Sequence, residues 1–162
     1  MKTTRWTGLL GVLVLAACAA DASDAMDTPP FEPVGDMQQL MVTIVEPAAD
    51  FYWDAVGTII DMEGTVEIFP SSDEEWEAVR NAAYAIAESG NLMMMAGRGP
   101  DEDTWRAMSL AMIEVGRVAI AAAEAKNTAA VFDAGAEVYA VCSACHATYA
   151  LGTISPSDLP GN

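Results

Sequence analysis

NTAAVFDAGAEVYAVCSACHATY, residues 127–149, is the stretch on which the fold turns. Asn127 is a good N-cap, and its side-chain oxygen can take a free amide of the first turn. Behind it Phe132, Ala136, Tyr139, Cys142, His146 and Tyr149 recur at intervals of three and four, the period of one face of a helix. Three further stripes of this kind lie upstream. The first, about Gly35 to Val56, carries Met37, Met41, Ile44, Ala48, Phe51 and Ala55. The second opens on Ser72-Asp73-Glu74-Glu75, a capping-box pattern, and carries Trp76, Val79, Ala83, Ile86, Gly90 and Met93. The third follows Pro100 with the acids Asp101, Glu102 and Asp103, which suit a helix N-terminus, and carries Trp105, Met108, Met112, Val115, Ala119 and Ala122. The breaks at Gly97 to Pro100 and at Lys126-Asn127 are short, so neighbouring helices are expected to run antiparallel. The expectation is an all-α fold, an antiparallel up-down-up-down four-helix bundle over residues 34–152.

Two segments disturb that pattern. Pro47 lies inside the first stripe, where it removes a donor and crowds the carbonyl of Thr43, so a kink is expected there. Thr65-Val66-Glu67-Ile68-Phe69 alternates like a strand, but with no second strand evident it reads as an extended connector.

Composition narrows the function. The chain has 162 residues, enough for one domain with a real core, and 52% of them are hydrophobic, which excludes wholesale disorder. Seven Lys and Arg against 24 Asp and Glu give a net charge of −17. That excludes nucleic acid, whose phosphates need a basic face. The single histidine, His146, excludes multi-histidine metal sites and a haem held by two histidines.

Residues 1–17 read as an export signal. Lys2 and Arg5 precede an apolar run from Trp6 to Ala17, which is too short for a membrane span of roughly 20 residues. The run ends in Leu15-Ala16-Ala17-Cys18, which resembles the lipobox of bacterial lipoproteins. That resemblance implies that Cys18 is acylated, becomes the mature N-terminus and anchors the chain to a membrane from the periplasmic side. The alternative is ordinary signal-peptidase cleavage beside it. Residues 18–33 are small, acidic and proline-bearing and read as a flexible tether, and residues 153–162 read as a flexible tail.

Cys142-Ser143-Ala144-Cys145-His146 is a C-x-x-C-H motif, the attachment signature of c-type haem. Two thiols add across the haem vinyl groups, and the adjacent imidazole binds the iron from one side. On a helix these residues stand at i, i+3 and i+4 and share a face. The predicted cofactor is one covalent haem c, held by Cys142 and Cys145, with His146 as proximal iron ligand. A thioredoxin-like thiol pair would need a preceding strand and a helix N-terminus, and zinc would need a fourth strong ligand. Chance placement of the cysteines in a core is the remaining alternative.

With that motif late in the last helical stripe, the chain resembles the class II c-type cytochromes, the cytochrome c′ group. The resemblance runs from Val34 to Tyr149 and rests on the late haem motif, on aromatic Tyr149 three residues after His146, and on Gln39-Leu40-Met41 in the first helix. The Leu-Met pair is similar to that of low-spin members, whose methionine is the second axial ligand. The chain departs from the family pattern at Ala150, where a basic residue is common, and at Pro47, unusual in a first bundle helix.

The resemblance implies an electron carrier, not an enzyme, with Met41 as candidate distal ligand and Met37 as the rival one turn earlier. Met41 stands about 7.5 Å into the first helix and His146 about 6 Å from the end of the fourth, so the two levels agree. A core methionine beside a five-coordinate iron is the competing arrangement. It implies a gas-binding haemoprotein taking nitric oxide or carbon monoxide. No distal histidine, arginine or carboxylate set is evident beside the motif, which argues against an enzyme. Leu92 to Met95, Trp105 and Met108 are expected to wall the haem pocket. Met93-Met94-Met95 cannot easily converge on copper, because successive helical residues point about 100° apart. The acidic surface suits basic redox partner proteins, and a homodimer is compatible with the family.

Overall fold

A computed structural model describes residues 31–150. The residues of the export signal, of Cys18 and its lipobox, of the tether before Phe31, and of the tail fall outside that range. The fold is mainly helical, with one small sheet. α1 (Met37–Leu40), a π-helical segment (Met41–Val45) and α2 (Glu46–Asp54) follow one another without a break. Strands β1 (Gly57–Asp61) and β2 (Gly64–Ile68) come next, then α3 (Asp73–Met93), α4 (Asp103–Glu124) and α5 (Thr128–Tyr149). α3 packs on α4, α4 on α5, and the first helical run on α3 and, more sparsely, on α5.

The helix starts are set by side-chain caps. Ser72 Oγ accepts from the Glu75 amide at 3.2 Å, and Glu75 Oε2 accepts from the Ser72 amide at 3.2 Å, which completes the capping box. Asn127 Oδ1 accepts from the Ala130 amide at 3.1 Å, and Asp36 Oδ1 from the Gln39 amide at 2.8 Å. At α4 the cap residue Glu102 makes no such bond, and Asp101 Oδ1 accepts from the Trp105 amide at 2.9 Å instead.

α3 and α4 bury the faces their sequence stripes define. Trp76, Val79, Ala83, Ile86, Gly90 and Met93 are all buried, as are Trp105, Met112, Ala119 and Ala122. The two helices approach closely: a Cβ on Gly116 would lie 2.6 Å from Ala87 Cα, and one on Gly90 would lie 2.5 Å from the Ser109 carbonyl oxygen. Buried Ser89 and Ser109 satisfy their hydroxyls within their own helices, on Ala85 O at 2.6 Å and Trp105 O at 2.9 Å.

The other two stripes are corrected. In the first, Ile44 and Phe51 are exposed, while Val45, Ala49, Tyr52 and Val56 are buried. In α5, Phe132, Ala136, Tyr139 and His146 are exposed, while Val131, Ala134, Val138 and Cys145 are buried. Both shifts are one residue, with different causes. α5 is rich in alanine and apolar over two adjacent faces, with Asp133 and Glu137 on a third side, so periodicity does not choose between the two. The first run contains the π segment, which adds a residue to one turn. The kink expected at Pro47 takes this form: Glu46 N–H donates to Met41 O, five residues back, and Pro47 falls in the first turn of α2. A proline there needs no helical donor, whereas in a helix interior it costs about 3 kcal/mol.

The extended connector expected at 65–69 is also corrected. β2 pairs antiparallel with β1, with Ile59 opposite Val66 and Asp61 opposite Gly64. Asp61 Oδ1 accepts from the amides of Glu63 and Gly64 at 2.8 and 3.0 Å, and Gly64 takes φ +145, which a side chain would resist. The loop residues Met62-Glu63 lack the Asn-Gly signal that makes such hairpins visible in sequence.

Candidate functional site

A cavity of about 550 Å³ opens between the first helical run and α5, within the size range of small-molecule and cofactor sites. Cys142, Ser143, Cys145, His146 and Ala147 line it from α5; Met41, Val45, Glu46, Ala49, Asp50 and Trp53 line it from the first run. Met93 and Met112 close it from α3 and α4. Helical spacing explains why Cys142, Cys145 and His146 arrive together: residues at i, i+3 and i+4 share one side of α5. Cys145 leans to the core side, and His146 to the open side.

No disulfide joins Cys142 and Cys145. Burial, with the neighbouring Cys145 adding to it, pushes the Cys142 thiol up, and burial does the same to Cys145. A reactive redox pair of the thioredoxin kind has a lowered thiol pKa at a helix N-terminus; this pair stands in the last turns of a helix with its thiols raised. Among the described residues, no group of three or more His, Cys, Asp or Glu side chains is placed to hold a metal ion. None of the described helices is long and apolar enough to cross a membrane.

The fold brings Met41 to this cavity and leaves Met37 half-buried against the core, off the lining. The expected pocket wall is partly revised. Met93 and Met112 contribute; Leu92 and Met108 are off the lining, and Met94 and Met95 line a separate depression with Gly97, Gly99 to Asp103 and Trp105. Trp105 sits behind the wall. Its Nε1 donates to Met93 O at 2.8 Å, and its ring meets Tyr149 edge-on at 5.1 Å. The Tyr149 hydroxyl donates to Asp101 Oδ2, tying the end of α5 to the start of α4. Desolvation and that bond push the tyrosine up to about 12, and the bonds from Tyr149 and the Trp105 amide hold the Asp101 carboxyl down.

Trp53, expected as a core or pocket aromatic, and Tyr139, a member of the fourth stripe, both line the cavity; the carboxylates Glu46 and Asp50 are absent from the sequence expectation. Trp53 Nε1 donates to Gly135 O at 2.9 Å, and its ring meets Tyr139 edge-on at 6.0 Å. The two rings separate the cavity from a smaller one of about 290 Å³ further along α5 that Phe132 and Ala136 line. Glu46 and Asp50 are exposed carboxylates at the mouth. The expectation that no carboxylate stands beside the motif is corrected in that respect. These residues come from a helix about 90 positions upstream, and only a contact between helices could have revealed them.

The donor set fits a covalently attached haem. Two thiols one helical turn apart, an imidazole beside the second, a thioether from another helix and a mostly apolar lining meet in one cavity. No family model matches the chain, and no curated protein or solved structure matches it.

Proposed function

We propose that this protein is an exported c-type cytochrome of the class II kind, an electron carrier rather than an enzyme. In this reading the helices form an up-down-up-down bundle with one haem c near one end. Cys142 and Cys145 form the thioethers, His146 is the proximal iron ligand and Met41 the distal one. The observation that supports it above all is the shared cavity, in which Met41 meets Cys142, Cys145 and His146. α5 adds a second support. It buries Val131, Ala134, Val138 and Cys145 on one side, yet carries Phe132, Tyr139 and His146 on another. An apolar arc wide enough to span two faces calls for cover on both, and a large flat apolar group between α5 and the first helical run would cover part of the second.

Bound haem supplies one-electron chemistry through its ferric and ferrous iron. The chain supplies the rest. The His146 imidazole would give the iron a nitrogen ligand, and the Met41 thioether a soft donor that favours the reduced state. Val45, Ala49, Met93 and Met112 exclude water and lower the local dielectric, which tunes the potential. Glu46 and Asp50 place negative charge at the mouth. With the net charge of −17, this suits redox partners with a basic face. Export to the periplasm and a lipid anchor at Cys18 belong to the same proposal, because covalent haem attachment takes place outside the cytoplasm.

The test is spectroscopy on protein expressed with a cytochrome c maturation system. Haem should survive denaturing gel electrophoresis, and Cys142→Ser with Cys145→Ser should abolish that retention. Haem removed by acid–acetone extraction would overturn covalent attachment. The ferric protein should show a sulfur-to-iron charge-transfer band, and the ferrous protein should resist carbon monoxide. A protein that binds carbon monoxide readily and lacks the band is a gas-binding haemoprotein instead.

A further inference from the structure

The residue that departs most from a bundle helix, Pro47, stands just after the π segment that carries Met41. The extra residue in that segment has a geometric consequence at the cavity. At about 100° per residue, the lining residues Val45, Glu46, Ala49, Asp50 and Trp53 form an arc centred about 70° round the helix from Val45. Continued upstream as an unbroken α-helix, that arc would meet position 42, at about 60°, and would leave position 41 about 110° from its centre. Val42 would then face the cavity, with no atom able to ligate a metal. In the structure Met41 lines the cavity, and Val42 is 49% exposed outside it. The burial of Leu40 and Val45, each 4% exposed, records the same shift. Five residues apart, they would stand about 140° from each other on an α-helix and could not share a core face.

We propose that Pro47 is a positioning residue: it holds the π segment that turns the Met41 thioether onto the cavity face with Cys142, Cys145 and His146. An unbroken α-helix needs an N–H at position 47 to reach the Thr43 carbonyl, and a ring there collides with that carbonyl. The π turn avoids both by closing on the Glu46 amide, so that α2 starts afresh with Pro47 in its first turn. Thr43 follows the same local plan, with its hydroxyl donating to Gln39 O at 2.6 Å. The proline that is out of place for a bundle helix is thereby the residue that selects position 41 over position 42.

This inference rests on Met41 being the distal ligand, and the experiment separates the two. Haem-loaded full-length protein is compared with Met41→Ala, Pro47→Ala, and Pro47→Ala combined with Val42→Met. Each is read by the ferric sulfur-to-iron band, with amide exchange across residues 41–47 as a readout independent of the haem. Pro47→Ala should lose the band and slow exchange across the segment as the α-helical ladder closes. The added Val42→Met should restore the band, because position 42 then faces the cavity. A band that Met41→Ala leaves intact refutes the ligand assignment and this inference with it. A band lost in Met41→Ala but kept in Pro47→Ala overturns the positioning role alone. So does a loss in Pro47→Ala that Val42→Met does not repair, since it would reflect general loosening and not register.

Discussion

The α3–α4 interface and the cleft between the first helical run and α5 are built from opposite materials. Between α3 and α4, Gly90, Gly116, Ser89, Ser109 and alanines let two backbones touch, and Ile86, Val79 and Met112 fill what is left. Across the cleft, large side chains hold the helices apart. Trp53 bonds to the α5 backbone, Tyr139 leans on Trp53, and the cavity with the cysteines, His146 and Met41 lies alongside. Small residues close an interface, while bulky ones used as struts keep one open. The closest backbone packing thus lies in one half of the helical layer and the candidate site in the other.

Truncation should expose that division most strongly. Ile86, fully buried on α3, should lose about 2–5 kcal/mol of unfolding free energy on Ile86→Ala. Phe132, 63% exposed on the cleft side of α5, should cost no more than about 0.5 kcal/mol on Phe132→Ala in the haem-free chain. Equal losses in urea denaturation would break the comparison.

Adding a methyl group should give a smaller contrast. Gly116→Ala drives a Cβ to 2.6 Å from the backbone of α3, so the helices must part, at a cost of about 1–3 kcal/mol. Gly135→Ala meets the Trp53 ring edge at 3.1 Å and the Tyr52 ring at 3.8 Å, side chains and no backbone. That strain is offset by the gain of about 1 kcal/mol when alanine replaces glycine in a helix, so thermal unfolding should barely move.

The mildest effect joins the two regions. Tyr52, buried on α2, donates to Ala119 O on α4 at 3.3 Å, and burial pushes its hydroxyl up to about 12 from 10.0. Tyr52→Phe should cost about 1 kcal/mol at neutral pH. The native state holds this proton more tightly than the unfolded chain. The stabilisation is therefore whole below pH 10 and drains away as pH rises towards 12. Unfolding midpoints followed from pH 8 to 12 should fall for the wild type and fall less for Tyr52→Phe; parallel curves would exclude Tyr52 as the cause.

These contrasts also mark how far residue order carries. The α3 and α4 faces were legible because each helix is uninterrupted and has one apolar side, so the 3.6-residue period maps onto burial directly. The C-x-x-C-H motif was equally plain, since its spacing is local and helical geometry alone puts Cys142, Cys145 and His146 on one side. The caps at Ser72 and Asn127 are local in the same sense, satisfied within three residues.

What lay beyond the sequence depends on partners distant along the chain. Whether α5 turns Val131 or Phe132 inward is a choice between two apolar faces, and the core made by α4 and the first helical run decides it. Pro47 announced a disturbance, but a kink, a break and a π turn all relieve a missing donor. Of these, the π turn is the one that lets both Leu40 and Val45 be buried. With the π turn, Met41 and not Val42 lines the cavity, alongside Glu46, Asp50 and Trp53. Local hydrogen bonding and helical period are properties of neighbours in sequence; the face a helix buries is a property of everything packed against it.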